Sequence, residues 1–428
     1  VDPAGNPPAT TTHHHLLGHP IDLAGHVAAH GPIPVPAGRD AEWPRALIST
    51  LEASGLTGRG GGGFPAWAKL ARSSALGAGG IIVVNGMESE PASDKDKVLL
   101  TRAPHLVLDG AQLLAAACGA QEIIVCVPEG RDAIADAASR ALYERDAHRY
   151  ARVSEYLVRP PPRFVAGEES ALAQWIDRGK SRPTFRPDKS VPLRIGRLPA
   201  LVNNTETLAH ISLIARYGPE PFRARGTAEQ PGTCLVTIGG AVARPGVVEV
   251  DWGTPLHDIA QRSLPEDTSA AILIGGYGGL WVAPEHFATP YAPQALGAIG
   301  VATGVGVMIV LGMTACGLAE SARIASFLAG ESSGQCGPCV FGLPAIADDL
   351  SRLAEGRPDR HLLSRLDRRL DQVEGRGACR HPDGAVGLVR SALTVFAADV
   401  EAHMSGRPCA HIASPSLLRF PGQTTLTR

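Results

Sequence analysis

Aromatic residues are few: Phe, Tyr and Trp make up 5% of the 428 residues. No run of eighteen or more apolar residues occurs, which excludes a membrane-spanning helix of ordinary length. The longest apolar stretch, residues 301–311, is broken by glycines. Neither charge sign dominates, and a formal charge of −2 predicts no nucleic-acid footprint and no acidic tail. No charged-then-apolar pattern opens the chain, so export is not expected. The eight cysteines lack the rhythm of a small disulfide scaffold and fit a reducing, cytoplasmic setting with most thiols free. Lysine is scarce against arginine, a bias of the source composition rather than a functional sign. Glycine (49) and proline (35) are abundant, and 44% hydrophobic residues are ample for a core. The length predicts two to four domains.

The most informative stretch is Glu331-Ser332-Ser333-Gly334-Gln335-Cys336-Gly337-Pro338-Cys339, followed at a distance by Cys379. Cys336 and Cys339 form a C-x-x-C whose Gly-Pro bend lets both sulfurs face one point. That spacing suits a tetrahedral metal or an iron–sulfur cluster, with a redox dithiol as the rival. Ser333 stands where one more cysteine would extend the series, and Cys379 is the remote candidate ligand.

Residues 1–40 show no helical or strand period, and His13-His14-His15 lacks a nearby carboxylate or cysteine partner, so an arm is expected there. A helix over 43–51 leads into the glycine run Gly58 to Gly63. Gly58, Gly60 and Gly63 satisfy G-x-G-x-x-G, but this loop follows a helix where a dinucleotide fingerprint follows a strand. Its glycines still let backbone N–H groups approach a phosphate, with a helix starting near Pro65 behind them. Residues 81–84 read as a buried strand ending at Asn85-Gly86-Met87-Glu88-Ser89-Glu90, the edge where open α/β sheets bind ligands. Two such close glutamates are ordinarily solvated loop charges. Helices over 98–118 and 132–147 alternate with strands over 122–127 and 151–158, implying a mostly parallel sheet. Residues 163–172 read as a strand turning into a helix at Gly167, and Asn203 and Asn204 read as helix caps. From Gly232, strands at 235–238, 247–250 and 271–274 suggest a small β-grasp-type unit ending near Ala315. Helices at 318–328, 343–354, 361–373 and 385–403 then suggest a bundle whose first and last connections carry the cysteines.

Five motifs in one order resemble a known family, the flavin-carrying, NADH-oxidising F-type subunit of respiratory complex I, shared with NAD-reducing hydrogenases and formate dehydrogenases. Gly58 to Lys69 is similar to its G-R-G-G-x-G-F-P-x-x-x-K, and Asn85 to Asp96 to its N-x-x-E-S-E-P-x-x-x-K-D. Gly167 to Leu172 resembles G-E-E-S/T-A-L, Asn203 to Leu208 resembles N-N-x-E-T-L, and Glu331 to Cys339 resembles E-S-C-G-x-C-x-P-C except at Ser333. The resemblance implies a Rossmann-like FMN domain (42–228), a soluble-ligand-binding β-grasp domain (229–315) and a helical bundle with a 4Fe–4S cluster (316–412), between an arm (1–41) and a tail (413–428). It implies that Gly58, Gly60 and Lys69 contact FMN and that Asn85, Glu88 and Ser89 flank the flavin. Phe164, Gly167, Glu168, Glu169, Val202, Asn203, Asn204 and Thr207 would close the pocket, and Gly61, Phe64 and Glu90 would face NAD(P)H. Ser333, Cys336, Cys339 and Cys379 would meet the cluster.

Three departures stand out. Ser333 offers a harder, far less acidic ligand than thiolate. Met87 replaces an acidic residue of the flavin loop. Arg72 and Lys189 fall near the family's adenine-stacking aromatics, and Arg186 stands for a lysine. Losing that stacking costs NADH about 1–3 kcal/mol, whereas added cations suit the extra phosphate of NADPH. The expected activity is hydride transfer from NAD(P)H to FMN, then single electrons through the cluster to a ferredoxin-like, other iron–sulfur or quinone-reductase partner, in the cytoplasm or peripheral on a membrane complex. The alternatives are a scaffold or assembly protein that has lost cluster or nucleotide binding, and a zinc module on the same cysteines.

Overall fold

The computed structural model describes residues 15–18, 20–36, 40–74, 79–186, 191–261 and 269–421. His13, His14 and Lys189 lie outside them. Five short runs rich in Ile, Val and Leu form the first sheet: β1 (Ile81–Asn85), β2 (Glu122–Cys126), β3 (Ser154–Val158), β4 (Leu193–Ile195) and β5 (Leu198–Asn204). Their order is β3-β2-β1-β5-β4, with only β4 antiparallel. Alternate residues serve opposite faces. Ile82, Val84, Ile123 and Val125 join one core, while Ile81, Val83, Ile124 and Cys126 join another. Both faces of the central strands are therefore dry, as a parallel sheet requires.

The chain runs outward from β1 through β2 to β3, then returns to β5 on the other side of β1. Asn85 consequently pairs in register with both Cys126 and Asn204. Connections diverge at this point, leaving a crevice beyond the carboxyl ends of β1 and β5. Below it, helix Pro104–Cys118 crosses helix Thr205–Tyr217 so closely that a Cβ on Gly110 would lie 2.0 Å from the Leu208 carbonyl oxygen.

The second sheet comprises β6 (Thr233–Gly240), β7 (Gly246–Asp251), β8 (Ser269–Ile274), β9 (Leu280–Val282) and β10 (Val307–Gly312). Its order is β7-β6-β10-β8-β9, with β6 and β10 parallel and the other pairs antiparallel. Leu273, Val307, Ile309 and Leu311 share a core with the C-terminal helices, and Val236, Ile238, Ile272 and Val310 face a smaller core of their own. Those helices are Gly317–Gly330, Leu343–Ala354, Leu362–Val373, His381–Val395 and Ala397–Met404. Leu362, Leu366, Leu370 and Val373 recur at helical spacing and are buried.

Several expectations are corrected. The N-terminal arm contains a helix, Leu23–His30, capped by the Asp22 carboxylate and anchored where His26 meets buried Asp109 at 3.0 Å. The expected strand at 163–167 is a 3-10 turn, Phe164–Gly167, before helix Glu169–Arg178. Asn203 and Asn204 end a strand missed in the sequence, although Asn204 also caps the next helix by accepting from Glu206 N–H at 3.1 Å. The expected helix 385–403 is interrupted at Phe396, whose buried ring packs on Trp281 and against Gly317. The tail is no loose end up to residue 421: Leu418 is buried and Phe420 packs against Tyr277 and Phe327.

Candidate functional site

The glycine run is closed at its base, where Gly58 N–H donates to the Phe64 carbonyl at 2.8 Å. Gly61 and Gly63 hold φ of 91° and 58°, conformations in which a Cβ is strained. From inside, Thr207 Oγ1 accepts from Arg59 N–H at 2.9 Å, and the Lys95 ammonium donates to the Arg59 carbonyl at 2.7 Å. Lys95 also donates to Glu206 at 2.7 Å, and Glu206 accepts from Leu235 N–H at 2.9 Å. One buried ion pair thus joins the glycine loop, the helix after β5 and the second sheet. Burial alone would lower the Lys95 pKa; Glu206 and Asp96 outweigh it and hold it above the ordinary value.

The loop after β1 carries carboxylates into the interior. Glu88, at φ 37°, accepts from Ser93 Oγ (2.9 Å), Asp96 N–H (2.8 Å) and Lys97 N–H (2.9 Å). Glu90 accepts from Tyr277 N–H (2.9 Å) and Ala92 N–H (3.2 Å). Burial pushes both up to about 7, with Asp96 adding repulsion at Glu88. They are not the solvated loop charges that their spacing suggests. Asn85 donates to the Gly167 carbonyl at 2.9 Å, and a Cβ on Gly167 would lie 2.5 Å from Ser89 Oγ. Glu168 caps the following helix, accepting from Ser170 and Ala171 N–H. Lys69 bridges Glu169 and the Val202 carbonyl, each at 2.5 Å.

One crevice of about 360 Å³ collects these pieces. Gly60, Asn85, Glu88, Ser89, Glu90, Phe164, Gly167, Glu168 and Asn204 line it, and so do Cys379 and His381 at the start of a bundle helix. Gly58 and Gly61 line a smaller adjoining cavity that shares Lys95. Lys69, Glu169, Val202, Asn203 and Thr207 line neither cavity. Phe64 is 41% exposed, with the Arg72 guanidinium 4.9 Å over its ring. Sequence reasoning missed Lys95, Asp96, Glu206, Gly275, Val305 and His381. The local signals were the Lys-Asp pair ending the second motif and the Glu of the Asn203 to Leu208 motif.

Two buried polar atoms here have no partner among the described residues: Asn203 Nδ2 at the end of β5, and Nδ1 of His381, whose Nε2 donates to the Leu328 carbonyl at 2.8 Å. The His381 atom, in a crevice that also takes Gly60 of the glycine loop and several polar side chains, fits a flavin-sized ligand with polar edges. Glu331 clamps the cysteine loop to the crevice turn, accepting from Phe164 N–H at 2.9 Å and Arg163 Nε at 3.2 Å. Cys339 is buried in the π-turn Pro338–Gly342, while Cys336 and Cys379 are partly exposed. Burial, then Cys336 and Cys379, push the Cys339 thiol up to about 12. A buried thiol crowded by two others fits a cationic centre, which would favour its thiolate. The three sulfurs do not form one of the tight groups a single ion needs: among the described residues, the one set of three ligand atoms within 4.8 Å of each other is Cys316, His403 and Cys409. That argues against the zinc reading of the C-x-x-C. Ser333 lies in the same loop, partly exposed.

The Nuo51 FMN-binding domain family matches residues 51–213, and the NADH-ubiquinone oxidoreductase-F iron-sulfur binding region matches residues 312–403. An F-type NADH-quinone oxidoreductase subunit of Rhizobium meliloti (strain 1021), the second of its two, is 27% identical over 380 residues, covering 86% of this chain and 90% of the relative. The F-type subunit of Streptomyces coelicolor is 28% identical over 381 residues, covering 86% and 84%. An NAD+-reducing NiFe hydrogenase in the H2-reduced state superposes with a TM-score of 0.77 at 30% identity over 87% of this chain, which spans 64% of that hydrogenase chain. Among the described residues, no helix is long and apolar enough to cross a membrane. The motifs, the shared crevice and the two matched regions agree in order and place: the chain belongs to the F-type subunit family of NADH-quinone oxidoreductase.

Proposed function

We propose that this protein is an electron-transfer oxidoreductase subunit that takes hydride from NAD(P)H onto FMN and passes single electrons through an iron–sulfur cluster to a ferredoxin-like or other iron–sulfur partner. The observation that carries this reading is the single crevice: its walls run from the glycine loop and Asn85–Glu90 to Cys379, so flavin and cluster residues share one cavity. A bound flavin supplies hydride acceptance and one-electron release, and the protein supplies position and field. Gly58 and Gly60 leave room for close backbone approach. Asn85, Glu88, Ser89, Gly167, Glu168 and Asn204 form the ring-side wall, and Lys69, held by Val202 and Glu169, offers a positive charge. Glu90 and Gly61 sit toward the second sheet with Phe64 outermost, a mouth for the nucleotide. Cys336, Cys339 and Cys379 would hold the cluster, with Ser333 or solvent at the fourth position.

The second sheet, with its parallel central pair β6/β10, supports a β-grasp unit over 229–315 between an FMN domain (42–228) and a bundle (316–412). Val340 and Phe341, directly after Cys339, are 43% and 77% exposed and offer an apolar landing point for the acceptor. The Arg72 guanidinium over Phe64 supports NADPH as the donor, since it brings a cation to the ring that would face the nucleotide. Arg72→Ala is expected to lower the ratio of kcat/KM for NADPH over NADH by about 10-fold or more, the scale of one charge-assisted hydrogen bond. An unchanged ratio removes Arg72 from donor selection.

The visible spectrum of anaerobically purified protein, before and after NADH and then NADPH, tests the whole. Flavin and cluster absorbance bleached by either nucleotide is the expected result. Flavin that neither nucleotide bleaches sinks the dehydrogenase reading and leaves a scaffold with the fold retained.

A further inference from the structure

Outside the crevice, three sulfur and nitrogen ligands converge where the bundle begins and ends. Cys316 precedes helix Gly317–Gly330, His403 lies near the end of helix Ala397–Met404, and Cys409 follows in the C-terminal segment. Cys316 Sγ, His403 Nε2 and Cys409 Sγ all lie within 4.8 Å of one another, with Cys316 Sγ and His403 Nε2 4.0 Å apart. A tetrahedral zinc ion with Zn–S of about 2.3 Å and Zn–N of about 2.0–2.1 Å spaces its ligand atoms by roughly 3.5–3.8 Å, so Cys316 and His403 stand about half an ångström from a coordination shell and the remaining pairs have at most about 1.3 Å to close.

The surroundings prepare these groups for a metal. His403 Nδ1 lies 3.1 Å from the Leu353 carbonyl, which can only accept, so Nδ1 carries the proton and Nε2 keeps its lone pair. That is the tautomer a ligating histidine needs, fixed by the partner of its other nitrogen. The Cys409 amide donates to this lone pair at 3.1 Å and would yield the place on binding. Ala319 N–H donates to Cys316 Sγ at 3.4 Å, while burial keeps the free thiol protonated, so a metal has to displace its proton. Two thiolates and a neutral imidazole cancel a divalent charge, as a site with Cys316 and His403 buried requires.

We propose that Cys316, His403 and Cys409 form a second metal site, separate from the iron–sulfur cysteines, that binds Zn2+ with water at the fourth position. Binding releases the two thiol protons and involves no electron transfer. Cys409 is partly exposed and leaves that fourth side open. The site's role is to clamp the tail. Beyond Cys409, Glu320 accepts from Ser416 Oγ and Leu417 N–H, Tyr277 donates to the Arg419 carbonyl, and Arg419 pairs with Asp94 at 2.9 Å. Asp94 is next to Lys95, and Tyr277 N–H is held by Glu90, so the clamped segment is tied through Asp94 and Tyr277 to residues that neighbour the crevice lining.

The test uses the full chain, purified anaerobically and dialysed against equimolar zinc chloride. Elemental analysis should find one zinc per chain, and zinc-edge X-ray absorption should show two sulfurs at about 2.3 Å with nitrogen or oxygen completing the shell. Cys336→Ser/Cys339→Ser should keep that zinc, and Cys409→Ser should lose it. A wild-type protein that takes up no zinc, a shell of three or four sulfurs, or a Cys409→Ser protein that retains its zinc each overturns the proposal. So does a disulfide between Cys316 and Cys409, found by alkylation without reductant. The absorption measurement on wild type decides the matter even if the variants fold poorly.

Discussion

Removing the Lys95 ammonium is the sharpest perturbation of the site. Lys95 and Glu206 are 3% and 1% exposed at their side chains and meet at 2.7 Å. Lys95→Met preserves the aliphatic stem but leaves the Glu206 carboxylate buried with Arg59 Nε, 3.9 Å away, as its nearest remaining cation. Breaking one side of a buried pair costs about 3–5 kcal/mol, because the surviving charge stays desolvated. The Arg59 carbonyl, which accepts from Lys95, loses its donor as well, adding toward the upper end of that range. Glu206→Gln should cost less, about 1.5–3 kcal/mol: an amide oxygen still accepts from Leu235 N–H, and Lys95 keeps Asp96 nearby. Urea unfolding followed by far-UV circular dichroism gives the order, with Lys95→Met the lower midpoint. A Lys95→Met protein within about 1 kcal/mol of wild type would falsify the view that this pair joins the glycine loop to both sheets.

Glu90 is raised from an ordinary 4.5 to about 7 by burial, so between those values the folded protein holds a proton that the unfolded chain has released. Stability therefore falls as pH climbs from about 4.5 to 7, by about 3 kcal/mol from this group, and Glu90→Gln should flatten that slope in urea midpoints taken at about pH 5 and pH 7.5. An unaltered slope would place the titration elsewhere. Gly167→Ala puts a methyl 2.5 Å from Ser89 Oγ in the crevice wall, and flavin release followed by fluorescence should be about 10-fold faster, the equivalent of roughly 1.4 kcal/mol of overpacking. Equal retention would mean Ser89 turns aside freely. Ser333→Cys should raise the iron found per chain after anaerobic purification, because thiolate binds iron better than hydroxyl. Iron near zero in both proteins would end the cluster proposal.

The sequence on its own determined the parts. Strand runs such as Ile81–Asn85 and the one-turn spacing of Leu362, Leu366 and Leu370 are set by local periodicity, which reads directly from the order of apolar residues. The glycine run, the Asn85–Glu90 loop and the C-x-x-C announced themselves because their backbone and ligand chemistry needs those residue types at those spacings. Elements held by distant contacts were not legible. Leu198–Asn204 is a strand because β1 lies beside it, and the break at Phe396 exists because Trp281 and Gly317 receive its ring.

Tertiary structure alone decided what the loop acids became. Glu88 and Glu90 look like surface charges in the chain, and only packing under Asp96 and Tyr277 leaves Glu88 half-buried and Glu90 buried, with both raised to about 7. It also brought Cys379 and His381 into the crevice, laid Arg72 over Phe64, and closed 87 residues of chain to set His403 beside Cys316. The reason is physical: a motif reports the conformational and chemical demands of its own few residues, whereas desolvation and the meeting of remote ligands are properties of the packed whole.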